Sequence, residues 1–315
     1  MHARVAALRF HVGRSPEISI AHEFRPPPYG GANQFLLALR KALRRRGFRV
    51  EAYRIGKNTR ACVLNSFAFD ESRVRRSRRS GCTMLHRVDG PVAAYRGLAD
   101  GADDRVVELN REFADVTVLQ SRYSQLAYEE LGIEFRNPTV IPNAVDPEIF
   151  YPAPRAPDAR LRLITTSWSD NPNKGLATLE WLDANLDPAE VQLTYVGRTT
   201  AAFRNIRTVP PQSSEGVADL LRAHDVYLAP SRNDPCSNSL LEALACGLPA
   251  IYLESGGHPE LVGSGGLGFV ADEQIPALLA EIQESLAVFQ ARIAVPSLDE
   301  VTENYLRALG LSAES

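Results

Sequence analysis

Lysine is nearly absent from this sequence: Lys41, Lys57 and Lys174 are the three among 35 basic residues, and arginine supplies the rest. Cysteine is scarce too, and Cys62, Cys82, Cys236 and Cys246 form no C-x-x-C pair. That excludes a zinc-ribbon site or a dithiol redox motif and suits free thiols in a reducing compartment. No apolar run approaches the roughly 18 residues of a membrane span. The best candidate, Leu240 to Leu253, is broken by Glu242, Gly247 and Pro249. The start, MHARVAALRFHVGRS, lacks the apolar centre and small-residue cleavage site of a secretory signal, so a cytoplasmic location is expected. No G-x-x-x-x-G-K-[ST] or H-E-x-x-H run occurs. GSGGLG (263–268) matches G-x-G-x-x-G in letters, but it follows an expected helix and precedes a strand, the reverse of a dinucleotide-binding turn. His11, His22, His224 and His258 share no ligand spacing, and no metal site is expected.

The 315 residues are 44% hydrophobic and 23% charged, with a net charge of −3. At about 100–200 residues per domain this length predicts two domains. The near balance of charge argues against a general nucleic-acid binder, but it averages unlike halves. Residues 1–152 carry +7 and residues 153–315 carry −10. The segment YPAPRAPDAR sits at this seam, and its three prolines suit a linker.

Short β-rich runs alternate with helical patterns on both sides of the seam. In the first half the strands are expected at 5–10, 48–55, 61–67, 83–88, 115–120 and 138–142, with helices over 33–46 and 122–131. In the second half strands are expected at 161–168, 191–197, 225–230 and 249–253, with helices over 176–186, 215–222 and 239–245. Helical patterns at 273–290 and 298–309 close the chain. This is an α/β pattern of two doubly wound parallel sheets facing a central cleft, where ligands bind at strand ends. The expected units are 1–152, 153–297, and a final helix, 298–315, packing back toward the first unit.

Three segments carry chemistry. In PYGGANQF (28–35) Gly30 and Gly31 directly precede a helix, permitting close backbone approach to a ligand beside a helix N-terminus. In SWSDNPNKG (167–175) Lys174 lies between a strand and a helix, where a compact ammonium beside loop amides suits a diphosphate; an exposed loop lysine is the plain alternative. In PSRNDPCSNSLLEALACGLP (230–249) Asp234 and Glu242 place one carboxylate in a loop and a second inside the following helix. Carboxylates accept hydrogen bonds from sugar hydroxyls, while loop amides near Ser237 and Asn238 receive phosphate oxygens. Cys236, between the two acids, is either a reactive thiol near a helix start or a small filler.

Those segments, with VIPNAVDPEIFYP (140–152) and SGGHPELV (255–262), resemble the family-4 (group 1) retaining glycosyltransferases of GT-B fold, and HRVDGP (86–91) and QSRYS (120–124) resemble a bacterial branch. The resemblance implies two Rossmann-like domains, a nucleotide-diphosphate sugar held mainly by the second, an acceptor bound mainly by the first, and neither cofactor nor metal. It assigns the donor diphosphate to Lys174, the ribose hydroxyls to Glu242, and the transferred sugar to Asp234, which stands where the family has glutamate. Gly30 and Gly31 match a glycine loop near the donor phosphates, and His86 a histidine beside the reacting carbon. The family's arginine five or six residues before the lysine is missing, those positions being Ser169 and Trp168, so the second diphosphate cation is expected from Arg198 or Arg232.

The expected reaction is sugar transfer to an acceptor hydroxyl in glycan, glycolipid or polysaccharide synthesis. Two other readings stand beside it: a GT-B nucleotide-sugar 2-epimerase, and a catalytically silent sugar-nucleotide-binding partner subunit. Arg40, Arg44, Arg45, Arg46 and the cluster RVRRSRR (73–79) make the acceptor-side half basic. They would suit an acidic or lipid-linked acceptor and peripheral contact with the inner membrane face, or else form a solvated surface. Aromatic residues are not interleaved with them, which disfavours nucleic acid.

Overall fold

The computed structural model describes residues 16–25, 30–78, 81–97, 100–154, 159–169 and 171–311. Its first half contains β1 (Ile18–Ala21), α1 (Gly31–Arg45), β2 (Val50–Ala52), β3 (Ala61–Asn65), α2 (Glu71–Ser77), β4 (Thr83–Val88), α3 (Val92–Arg96), α4 (Ala102–Phe113), β5 (Val116–Leu119), α5 (Arg122–Glu130) and β6 (Pro138–Val140). The strands pair in parallel in the order β2-β1-β3-β4-β5-β6. The strand expected at 5–10 lies outside the described residues. The strand found, β1, is a four-residue run, ISIA, buried on both faces and too short to show a period.

The α1 stripe of Phe35, Leu36, Leu39 and Leu43 is buried against Ile18 and Ile20, as its 3.6-residue spacing predicts. Helix α4 escaped the sequence reading although Val106, Leu109, Asn110 and Phe113 form its buried stripe. A polar residue within the stripe masked the pattern. Helices α2 and α3 span seven and five residues, and each buries a single apolar side chain, Val74 and Val92. Neither offers a period to read.

The second half contains β7 (Leu161–Ser167), a 3₁₀ turn (Pro172–Lys174), α6 (Leu176–Asn185), β8 (Val191–Gly197), β9 (Arg207–Val209), α7 (Ser214–Arg222), β10 (Val226–Ala229), α8 (Asn238–Ala245), β11 (Ala250–Leu253), α9 (His258–Val262), β12 (Gly266–Phe269), α10 (Ile275–Glu284), α11 (Leu286–Ala291) and α12 (Leu298–Ala308). Its parallel sheet runs β12-β11-β10-β7-β8-β9. The strand order reverses between β7 and β10, so the loops leaving these two strands flank the crevice where doubly wound sheets bind ligands. Those loops carry Lys174 and Asp234. The GSGGLG run ends inside β12.

Helix α12 belongs to the first core. Leu298, Val301, Tyr305 and Leu306 are buried with α1, and the Tyr305 ring lies 5.8 Å from that of Phe35. A capping box joining Ser297 and Glu300 starts the helix. Arg46 ties it to α1 by donating to Glu303 and to the Asp299 carbonyl, both at 2.7 Å.

Much of the arginine-rich surface is engaged within the fold. Arg75 makes a fork to the Glu112 carboxylate at 2.6 and 2.7 Å, Arg44 donates to the Val50 carbonyl, Arg45 pairs with Glu148, and Arg40 stacks over Phe24. No helix among the described residues is long and apolar enough to cross a membrane.

Candidate active site

Between the two sheets lies a cavity of about 350 Å³, a volume suited to a small-molecule ligand. From the second half it is lined by the loops after β7 and β10, by Ser237 and Asn238 at the start of α8, and by Glu242 one turn further along. Gly30, Gly31, Arg87, Asp89 and Gln120 face them from the first half.

Lys174 Nζ donates to Asp234 Oδ2 at 2.7 Å, closing an ion pair across the switch point. The lysine side chain is 37% exposed and the carboxylate 8%. Burial works against both charges, yet each holds its partner ionised: the Lys174 ammonium sits above its ordinary pKa and the Asp234 carboxyl below. The turn bearing Lys174 is shaped locally, with the Asn171 side chain accepting from Asn173 N and Gly175 at φ +88° closing it. A Cβ on Gly175 would meet Pro230 at 2.5 Å, so only glycine lets the two loops come this close.

Three asparagines beside the pair reach across the cleft. Asn171 donates to the Tyr95 carbonyl, Asn173 to those of Ala94 and Tyr95, and Asn233 to that of Ala94, all at 3.2 Å. The neighbours of Lys174 and Asp234 in the chain thus dock on the same two carbonyls of α3. A second tie caps α5 from α9, where the Glu260 carboxylate accepts from Arg122 N at 2.9 Å and Tyr123 N at 3.0 Å. Sequence reasoning missed these contacts, since asparagine in a loop carries no signal of its distant acceptor.

Ser237 caps α8 by accepting from Leu240 N. Asn238 accepts from Asn143 at 3.2 Å and lies against Gly31, where a Cβ would stand 2.3 Å from its Nδ2. Gly30, at φ +27°, caps α1, whose first turn holds no acidic residue. Two helix N-termini therefore bound the cavity without carboxylates in their first turns.

Glu242 is partly open to the cavity, but burial pushes its carboxyl up to about 8. It is therefore largely protonated at neutral pH. Because folding favours the protonated form, its contribution to stability is lost as pH rises from the ordinary carboxylate range through about 8. Glu242→Gln is expected to raise Tm by a few degrees at pH 8.5 and to leave it unchanged near pH 4.5. Scanning calorimetry at both pH values checks this, and equal effects at the two would contradict it.

Three expectations are corrected. His86 does not face the cavity. It is fully buried, donating from Nε2 to the Ser66 carbonyl at 2.8 Å, with Nδ1 3.1 Å from the Asn110 amide, and burial lowers its pKa to about 4. A neutral ring with both nitrogens engaged is a structural histidine. Arg198 lies outside the cavity lining, its guanidinium 4.4 Å above the Trp168 ring, and Arg232 is exposed and likewise outside it. The first half instead supplies Arg87, one residue beyond His86 and on the opposite side of β4. Cys236 is buried, its thiol pushed up to about 12, which leaves it a filler. Among the described residues no group of three or more His, Cys, Asp or Glu is placed to hold a metal ion.

Residues 170–287, which contain Lys174, Asp234 and Glu242, match the family described as glycosyl transferases group 1. The match is confined to the second half of the chain. It is 25% identical over 254 residues to a D-inositol 3-phosphate glycosyltransferase of Corynebacterium efficiens, a match covering 73% of this chain and 56% of that protein. The chain thus spans little more than half the length of this curated relative. Sucrose-phosphate synthase from Thermosynechococcus elongatus superposes with a TM-score of 0.69 at 17% identity, covering 94% of this chain and 95% of that one. Anabaena HepE, in a complex with UDP-glucose, gives 0.69 at 15% identity, covering 93% and 98%. At such identities the superpositions establish the fold alone, and that fold is GT-B.

Proposed function

We propose that this chain is a retaining glycosyltransferase that moves a sugar from a nucleotide-diphosphate sugar to an acceptor hydroxyl in the synthesis of a glycan or glycolipid. The observation that carries the reading is the Lys174–Asp234 pair at the switch point, facing the first turn of α8 with Glu242 one turn behind. In the step, the bond between the anomeric carbon and the diphosphate oxygen breaks, and the diphosphate leaves with the electron pair. The acceptor oxygen bonds to the same face of that carbon, and its proton passes to the departing phosphate oxygen. Lys174 and the amides at Ser237 and Asn238 meet the charge that grows on the leaving group, in positions set before reaction. Asp234 reaches the transferred sugar, Glu242 the ribose, and the first half takes the acceptor. No metal or cofactor enters this scheme. The tie between Asn171, Asn173, Asn233 and α3 closes the cleft and excludes water, which limits donor hydrolysis.

A thermal-shift series with UDP, ADP and GDP and their glucose conjugates tests donor binding, because a ligand at 100 times its Kd stabilises by about 2.7 kcal/mol. One base is expected to raise Tm by several degrees. Transfer from that donor is then followed by NMR, with an α-linked donor giving an α-linked product. A silent panel overturns the reading in favour of a partner subunit, and an epimer formed without acceptor overturns it in favour of an epimerase.

A further inference from the structure

Resting on the proposed donor site, one question concerns its charge. A donor diphosphate brings about two negative charges, and the helix ends offer only about half a positive charge each. Lys174 is already neutralised by Asp234 at 2.7 Å, so the pair adds no net charge. Among the described residues lining the cavity, the cationic side chains are Lys174 and Arg87.

Arg87 is 1% exposed, an unusual place for a guanidinium. Its Nη1 donates to Asn65 Oδ1 at 2.9 Å and to Asp89 Oδ1 at 3.2 Å, its Nη2 to Asn143 Oδ1 at 2.9 Å, and the group stacks on Phe35 at 5.1 Å. Two of these three acceptors are neutral amides. Asp89 is shared, since it also accepts from Gln120. The Nε lacks a well-formed hydrogen bond, and the Tyr305 hydroxyl lies against the same guanidinium. Asn143 continues from Arg87 to Asn238 Oδ1 at 3.2 Å, so the guanidinium is held two hydrogen bonds from the first residue of α8.

We propose that Arg87, from the first half of the chain, is a ligand of the donor diphosphate and supplies the positive charge that the Lys174–Asp234 pair does not. The diphosphate is then held between Arg87 on one side of the cleft and Lys174 with the α8 amides on the other, adding to the ties that already join the two halves.

Calorimetric titration with inorganic pyrophosphate and with UDP tests this on the wild type, Arg87→Gln and Asp89→Asn. Removing the Asp89 charge leaves Arg87 less neutralised, so Asp89→Asn is expected to bind pyrophosphate about 3–10-fold more tightly, while Arg87→Gln weakens it about 10–100-fold. Because Asp89 itself lines the cavity, the double variant Arg87→Gln/Asp89→Asn separates the causes: the gain from Asp89→Asn is expected to vanish in it if Arg87 is the ligand, and to persist if Arg87 is merely structural. Unchanged or weaker pyrophosphate binding by Asp89→Asn overturns the proposal even where Arg87→Gln fails to fold. A folded Arg87→Gln that binds like the wild type also overturns it and leaves the donor reading intact. A wild type that binds neither pyrophosphate nor UDP removes the donor reading itself.

Discussion

Lys174→Met is expected to lower sugar transfer at least 100-fold and to weaken nucleoside-diphosphate binding at least 10-fold. The lysine stands 2.7 Å from Asp234, and its removal deletes a donor aimed at the leaving group, an interaction that strengthens as charge develops there. The loss therefore belongs in kcat as well as in affinity. Stability falls as well, by about 1–3 kcal/mol, because the Asp234 carboxylate stays buried without its cation. The sign of the pH effect follows from the same pair. Burial raises the Asp234 carboxyl, and in the wild type Lys174 overcomes this to hold it below the usual range. The pair's stabilisation is then present above that range and is lost as pH falls through the depressed value. Without Lys174 the burial effect, the largest cause, is opposed only by His258 and the Cys236 amide, and the variant is expected to lose stability as pH rises toward neutrality. Steady-state kinetics, titration with UDP and melting curves from pH 5 to 8 give the three readouts. Adding Asp234→Asn should restore stability but not turnover. Transfer within threefold of wild type at unchanged donor affinity would sink the assignment of Lys174.

Tyr305→Ala is expected to cost about 3–5 kcal/mol and to lower Tm by about 5–15 °C, the largest stability change anticipated here. The ring is fully buried in the core of the first half, against Phe35, although its residue lies near the end of the chain. Truncation leaves a cavity between α1 and α12, and it also removes the aromatic wall beside Arg87. Melting curves and UDP titration separate these effects. Tyr305→Phe keeps the ring and loses a hydroxyl that lies against Arg87 without a well-formed hydrogen bond, so its Tm should stay close to wild type. A loss below about 1 kcal/mol in Tyr305→Ala would mean that α12 contributes little to the first core.

The alternation of strands and helices was legible where an element carries an unbroken apolar pattern, and α4 was missed because Asn110 interrupts its buried stripe. The stripe of Phe35, Leu36, Leu39 and Leu43, the strand over 83–88 and the helix after Ser237 appear where their patterns place them. The four-residue β1 and the short α2 and α3 were not legible, since four to seven residues do not define a period. Lys174, Asp234 and Glu242 were singled out by the resemblance of their segments to a known family, and the structure places all three on the cavity lining.

What the sequence alone determined is the set of loops that close on the cleft, because hydrophobic period and glycine placement are local properties and strand ends in a doubly wound sheet converge by topology. Only the tertiary structure decided which side chains of those elements the cleft receives. His86 and Arg87 are neighbours on β4, and successive strand residues point to opposite faces. Arg87 lines the cavity and bonds Asn143, while His86 on the other face bonds Ser66 and lies against Asn110. The chain's last helix packs into its first core through contacts between residues more than 250 positions apart that no local pattern records.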